Sequence, residues 1–214
     1  MTKPKPANPA LSISHPDLAS ALEQIGTEID LHPLRSSALA RIMRETFHGS
    51  DAGGAWDWHI AYDMMQAAAI QVLLRGDGAE GDIAAAKLLA SRLLTETRRS
   101  EQQIRLQQFS TPLAFATMAV RAAAIRKSET VLEPSAGTGA LAAFAARAGA
   151  MLLLNEIDPF RQRLLRAVFG GEVTGHDGEH IDDLLQTPVL PDVVVMNPPF
   201  ASSVDRSRDK HIAA

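Results

Sequence analysis

The stretch Thr130-Val-Leu-Glu133-Pro-Ser-Ala-Gly137-Thr-Gly139-Ala-Leu-Ala142 decides the fold that this sequence predicts. It begins with a short apolar run that is too short for a helix, and it leads into an alanine-rich helical stretch that ends near Arg147. The glycines between them accept positive φ and let the backbone approach a ligand closely. This order predicts a strand, a glycine loop and a helix.

Three more short apolar or β-branched runs follow the glycine loop, and helical stretches separate them. These runs are Met151–Asn155, Glu172–Thr174 and Asp192–Met196. Strands that alternate with helices predict an α/β protein with a parallel sheet covered on both faces. Ligands of such sheets bind at the carboxyl ends of the strands, where the glycine loop, the acidic residues and the tetrapeptide considered below lie.

The region before the first strand has the pattern of helices. Apolar residues recur at helical spacing in four stripes, which begin at Leu18, Leu39, Ala61 and Ala86. We therefore predict a helical subdomain over residues 17–107, after a disordered lead-in over residues 1–16, and an α/β domain over residues 108–214. Trp56 and Trp58, beside two glycines, are predicted to anchor a loop.

Composition narrows the class of protein. The 214 residues are 46% apolar, which is enough for a core. No apolar run approaches the ~20 residues that cross a bilayer, and a secretory signal is not visible, so we expect a cytoplasmic protein without membrane contact. Cysteine is absent and the seven histidines are scattered, so no metal is predicted. With a net charge of −4, a nucleic-acid partner would require a local basic patch or another chain segment.

Acidic residues at the strand ends indicate which cofactor the glycine loop holds. Gly137, Gly139 and Ala142 also satisfy the dinucleotide fingerprint, so the glycines alone do not distinguish the two cofactors. Glu133 would repel a pyrophosphate, but it would attract the cationic amino and sulfonium groups of S-adenosylmethionine. Glu156, after the second strand, could accept both hydroxyls of a ribose, the alternative being a solvated residue near a helix start.

Two aspartates near these strand ends can also be explained by local backbone structure, without a ligand. Asp158 before Pro159 is best explained as a helix N-cap with proline at the first helical position. Asp177, after the third strand, could accept a hydrogen bond from the adenine amino group of the cofactor. A turn-forming Asp-Gly pair explains Asp177 equally well.

The tetrapeptide Asn197-Pro198-Pro199-Phe200 at the end of the fourth strand is the most specific feature. The prolines fix the backbone and lack N–H donors. The Asn197 side-chain oxygen and the Pro198 carbonyl could accept the two hydrogens of an exocyclic amino group and direct its lone pair toward a methyl group. Phe200 could stack on a flat base, which in a duplex must first be flipped out. The alternative is a Pro-Pro turn with a core phenylalanine, but the position directly after a predicted strand, in register with the glycine loop, favours methyl transfer to an amino nitrogen.

The segment from Gln108 to Phe200 resembles the gamma-type N6-adenine DNA methyltransferases. In that family a Thr-Pro motif precedes the glycine loop, and Thr111-Pro112 occupies that place, where Thr111 is also a candidate N-cap. The resemblance implies a class I, Rossmann-like fold, S-adenosylmethionine as cofactor, and a base held by Asn197 to Phe200. The residues that it implies for cofactor binding are Thr111, Glu133, Ser135, Gly137, Gly139, Glu156 and Asp177.

The helical region joined to this domain, together with the run Ala201–Ala214, further resembles the amino-terminal part of large bacterial methylase-helicase proteins of the strawberry notch type. This resemblance implies DNA as partner and a helicase region on the same native chain. A full class I methyltransferase domain has a sheet of seven strands, whereas four strands are predicted here. The sequence therefore predicts a class I sheet that is truncated after the fourth strand. Guanine N2 in RNA and a glutamine side chain in a protein stay open as methyl acceptors. A non-catalytic accessory domain stays open as the function of the chain. A dehydrogenase is the third and least favoured function.

Overall fold

The computed structural model describes residues 9–76, 83–96, 110–185 and 190–198. Its helices are α1 (His15–Leu31), α2 (Ser36–Thr46), α3 (Trp58–Arg75), α4 (Ile83–Ser91), α5 (Leu113–Ala122), α6 (Ala140–Arg147), α7 (Pro159–Phe169) and α8 (Ile181–Leu184). Its strands are β1 (Thr130–Glu133), β2 (Met151–Asn155), β3 (Val173–Thr174) and β4 (Val193–Val194). No helix in these ranges is both long enough and apolar enough to span a membrane.

The described strands form one parallel sheet in the order β3-β2-β1-β4. This confirms the α/β class and the four predicted strands, although β3 and β4 each keep only 2 residues of the longer predicted runs. Because all strands run in one direction, the segments that follow β1, β2, β3 and β4 meet at one edge of the sheet.

The two faces of the sheet differ in their cover. Val131, Leu152 and Val193 share one face by register and belong to the main core, packed against the helices. On the opposite face Leu132 is buried, Leu153 is half-buried and Val194 is 46% exposed. Within the described part of the chain, the cover expected on both faces is therefore less complete on this second face.

The predicted helical stripes are confirmed by the burial of their apolar residues. In α1 the side chains of Leu18, Leu22 and Ile25 are completely buried. Helix α3 is central, because it contacts α1, α6 and α7 and therefore buries more than one of its sides. The core of α1 to α4 is continuous with that of the sheet region, so these two parts of the described chain do not have separate cores. Residues 97–109 lie outside the described ranges.

Residues 9–16, part of the lead-in that was predicted to be disordered over residues 1–16, have a defined structure. Pro9–Leu11 form a 3-10 turn, and α1 begins at His15 with Ser14 as its N-cap. Ala10 and Ile13 are buried, and the Arg163 guanidinium donates hydrogen bonds to both of their carbonyls. Apolar contacts and a long-range arginine therefore hold this segment, which its composition did not indicate. Residues 1–8 of the predicted lead-in lie outside the described ranges.

The two tryptophans anchor a loop, as predicted. The Trp56 indole donates to the Gly49 carbonyl at 3.0 Å, and the Trp58 indole donates to the Asp51 carboxylate at 3.1 Å. Both bonds span the loop between α2 and α3, so the aromatic rings fix the loop at the point where α3 begins.

Candidate functional site

The glycine loop follows β1, and its two glycines have positive φ for different reasons. Gly137 has a φ of 57° and Gly139 a φ of 94°, a region that favours glycine. A Cβ on Gly139 would lie 2.6 Å from Cε2 of Phe169, so packing against α7 also requires glycine there. A Cβ on Gly137 would meet nothing within 4 Å. The backbone at Gly137 therefore faces open space, where a ligand can approach it.

The Glu156 carboxylate holds the glycine loop against the end of β2. One oxygen accepts the Gly137 amide N–H at 2.7 Å, and the other accepts the Asp158 amide N–H at 2.8 Å. Burial raises the pKa of Glu156, although these amides and the Arg161 guanidinium oppose the rise. Each carboxylate oxygen has a second lone pair, so both can also accept hydroxyl donors from a ligand.

Glu133, the last residue of β1, has a buried carboxyl group. Its side chain is only 3% exposed, and its Oε2 has no hydrogen-bond partner within the described ranges. Burial raises the pKa of Glu133 well above its usual range, the Glu156 charge adds to the rise, and the backbone amide of Ala142 opposes it. A buried polar atom without a partner is costly, so a cationic ligand group at this position would relieve the cost.

Asn155 connects three of these segments, a role that sequence reasoning missed. Its amide nitrogen donates to the carbonyls of Pro134 and His176 at 2.8 and 2.9 Å. Its oxygen accepts the Thr174 hydroxyl at 2.7 Å and the His176 amide at 2.9 Å. The side chain thereby fixes the segments after β1 and β3. The available signal was a polar residue that ends an otherwise apolar strand.

Asn197 and Thr111, 86 positions apart in the chain, meet at the β4 side of the site. The Asn197 Nδ2 donates to the Thr111 hydroxyl at 3.0 Å. The prediction that Thr111 caps a helix was wrong, because Pro112 is the N-cap of α5 and no side chain caps it. The helix begins one residue later than expected, which leaves the Thr111 hydroxyl free to accept from Asn197. Pro198 is exposed, and Pro199 and Phe200 lie outside the described ranges.

The remaining predicted site residues lie near the same edge of the sheet. Asp158 caps α7 and accepts the amides of Phe160 and Arg161 at 2.9 and 3.0 Å, as predicted. Asp177 is exposed and accepts the Glu179 amide at 3.1 Å, which is the turn-forming alternative. Ser135 is half-buried, and a Cβ on Gly178 would lie 2.9 Å from its hydroxyl. The loops after β1 and β3 are therefore in close contact.

A buried ion pair, also missed, joins α3 to the start of α7. Arg161 donates from Nε and Nη2 to the two Asp63 carboxylate oxygens at 3.0 and 2.9 Å. Both side chains are at most 4% exposed. The charges of Asp63, Glu156 and Asp158 raise the pKa of Arg161, despite its burial. The pair therefore fixes the helical region against the segment that carries Glu156.

A cavity of about 500 Å³ lies between the helical region and the glycine loop. Gln66 of α3 spans its wall, since its oxygen accepts the Thr138 hydroxyl at 2.8 Å and its nitrogen donates to the Glu96 carboxylate. Thr111 also lines the cavity. The size is in the range of small-molecule sites.

Within the described ranges, no three His, Asp or Glu side chains come together as a metal site would require. Comparison with models of known protein families, with curated proteins and with solved structures finds no match for this chain.

Proposed function

We propose that the chain is the cofactor-binding part of a class I methyltransferase that uses S-adenosylmethionine and methylates an amino nitrogen. The acceptor that we favour is N6 of adenine in DNA. The observation that carries the proposal is the buried Oε2 of Glu133, at the end of β1 beside the glycine loop, which has no hydrogen-bond partner among the described residues. An acidic group in that position suits a cationic cofactor and disfavours a pyrophosphate.

The other residues around the loop fit the same cofactor. Gly137 presents its backbone to open space, and Glu156 has lone pairs for the two ribose hydroxyls. When bound, this cofactor supplies an electrophilic methyl group. The protein would contribute binding and alignment, which are the main requirements of a reaction between two held groups.

The hydrogen bond between Asn197 and Thr111 supports an amino group as acceptor. Because Nδ2 of Asn197 donates to Thr111, its Oδ1 is left to accept a hydrogen from the substrate amino group. An attacking amino nitrogen becomes cationic and then loses its proton easily, so no strong base is required. Contacts of the base with Pro199 and Phe200 remain part of the proposal, as does a flipped base in duplex DNA.

The second candidate function is a non-catalytic module of a larger DNA-processing protein. The partly exposed sheet face at Leu153 and Val194 favours it, because a further domain could pack on such an apolar surface. With a net charge of −4, most of the affinity for DNA would have to come from a local basic patch or from another segment, such as a helicase region.

Glu156→Gln is expected to weaken S-adenosylmethionine binding by about tenfold or more, as titration calorimetry would measure. Both Glu156 oxygens accept backbone N–H groups, so a glutamine NH₂ must face the amide of either Gly137 or Asp158. The matched control is Glu172→Gln, which changes an exposed carboxylate in the same region. Wild-type protein that binds NAD but not S-adenosylmethionine would contradict the proposed cofactor.

Asn197→Ala is expected to abolish methyl transfer to adenine in DNA and to leave cofactor affinity within about twofold. The variant removes the acceptor for the substrate amino group but none of the groups at the ends of β1 and β2. Radiolabelled methyl incorporation and calorimetry would measure the two effects. If the wild-type chain binds the cofactor but methylates neither DNA nor RNA, the accessory module becomes the better explanation.

A further inference from the structure

Glu96 lies in the wall of the 500 Å³ cavity, and the proposed function gives it no role. Its carboxylate accepts a hydrogen bond from Gln66, which is itself bonded to Thr138 of the glycine loop. Thr138 is only 3% exposed. A continuous chain of hydrogen bonds therefore connects Glu96 to the loop at which the cofactor would bind.

Within the described ranges, no salt bridge pairs the Glu96 carboxylate with a cation. Among the described residues, the charged or titratable groups that act on it are Asp63, Arg161 and His59. Arg161 already makes two hydrogen bonds to Asp63, so its charge is largely compensated. Burial and the Asp63 charge together raise the pKa of Glu96. A cation in the cavity would complete this arrangement, since a carboxylate has lone pairs beyond the one that Gln66 uses.

The order of the strands indicates which part of the cofactor faces this cavity. Glu156, proposed for the ribose, follows β2, and Asn197, proposed for the acceptor, follows β4, with β1 between them. The methyl-bearing sulfur must face the acceptor and therefore lies on the Thr111 side of the loop. Thr111 and Thr138 both line the cavity, so the cavity lies beside this part of the loop and can take the amino-acid end of the cofactor.

We propose that Glu96, held by Gln66, binds the α-ammonium group of the methionyl end of the cofactor. The helical region would then complete the cofactor site by contributing one of its charged ligands. This inference rests on the proposed function, and it names a binding residue outside the α/β region.

The test is calorimetric titration of wild-type protein, Glu96→Gln and the control Glu23→Gln with two ligands. S-adenosylhomocysteine carries the amino-acid end, and 5′-methylthioadenosine lacks it. Glu96→Gln is expected to weaken S-adenosylhomocysteine binding by about tenfold or more and to leave 5′-methylthioadenosine within about twofold of wild type. Glutamine can still accept the hydrogen bond from Gln66, so the fold should be retained. Glu23 is an exposed carboxylate of α1, so Glu23→Gln should change neither affinity.

Two results would overturn the role of Glu96 while leaving the proposed function in place. One is an unchanged affinity of Glu96→Gln for S-adenosylhomocysteine. The other is an equal loss for both ligands, which would assign Glu96 a structural role only. A folded wild-type protein that binds neither ligand would instead contradict the proposed cofactor, and with it the role of Glu96.

Discussion

Arg161→Met is expected to lower the free energy of unfolding by about 3–5 kcal/mol, the usual result of breaking a buried ion pair. Asp63 is 2% exposed and makes two hydrogen bonds to the guanidinium, so the variant leaves a carboxylate that water cannot reach. His59, at 3.6 Å from Asp63, lies beyond hydrogen-bond distance and cannot replace both bonds. Urea denaturation at neutral pH, followed by circular dichroism, measures the change.

The double variant Asp63→Leu/Arg161→Met should recover at least half of this loss, because no uncompensated charge is left at position 63. The matched control is Arg41→Met. Arg41 also bonds two carboxylates, Glu28 and Glu45, but its side chain is 48% exposed. Arg41→Met should lower the free energy of unfolding by less than about 1 kcal/mol. If Arg41→Met and Arg161→Met lower the free energy of unfolding equally, burial does not strengthen the ion pair between Asp63 and Arg161.

The ion pair also has a consequence for the candidate site. Arg161 lies in the first turn of α7, directly after the Asp158 cap, and Asp158 also donates its amide to Glu156. A shift of α7 would therefore move the carboxylate that holds the glycine loop. We infer that α3 of the helical region supports the geometry of the loop through Asp63, although it contributes no residue to the loop itself.

The fold was predictable where the signal is local. An apolar run such as Met151–Asn155 is too short for a typical helix and predicts a strand, and the apolar stripe of α1 predicts which helix face is buried. The Asp63 and Arg161 pair, 98 positions apart, was not predictable, because no spacing rule relates residues on helices from different parts of the chain. The central position of α3 has the same origin, since its sequence shows an apolar surface but not how many neighbours cover it.

For the candidate site, too, some residues could be predicted from the sequence and some contacts could not. Glu133, Gly137 and Glu156 were found because parallel strands bring their carboxyl ends to one edge. The N-cap prediction for Thr111 failed because the local Thr-Pro pattern competes with a long-range partner, Asn197. Asn155 was missed for a related reason. Its four hydrogen bonds reach segments on neighbouring strands, and these contacts exist only once the strands have paired.

Glu133→Gln is expected to stabilise the protein at neutral pH and to weaken S-adenosylmethionine binding by about 10- to 100-fold. The pKa of Glu133 is raised in the folded state, so the unfolded chain loses this proton at lower pH. The contribution of Glu133 to stability is therefore full below the usual glutamate pKa and is lost as pH rises through the raised pKa. A glutamine at position 133 does not titrate, so the protein keeps this stability as the pH rises. Glu133→Gln should therefore raise the free energy of unfolding by about 1 kcal/mol or more at neutral pH.

The opposite signs of the two effects make the role of Glu133 testable. A variant that is more stable than wild type cannot lose cofactor affinity through unfolding, so a loss would report the missing charge directly. The stability gain should shrink on acidification, because wild-type Glu133 is then protonated and resembles glutamine. Glu172→Gln, at an exposed position, should change neither quantity. If Glu133→Gln stabilises the fold and binds the cofactor as wild type does, the buried carboxyl is not a cation site and the main support for a methyltransferase is lost.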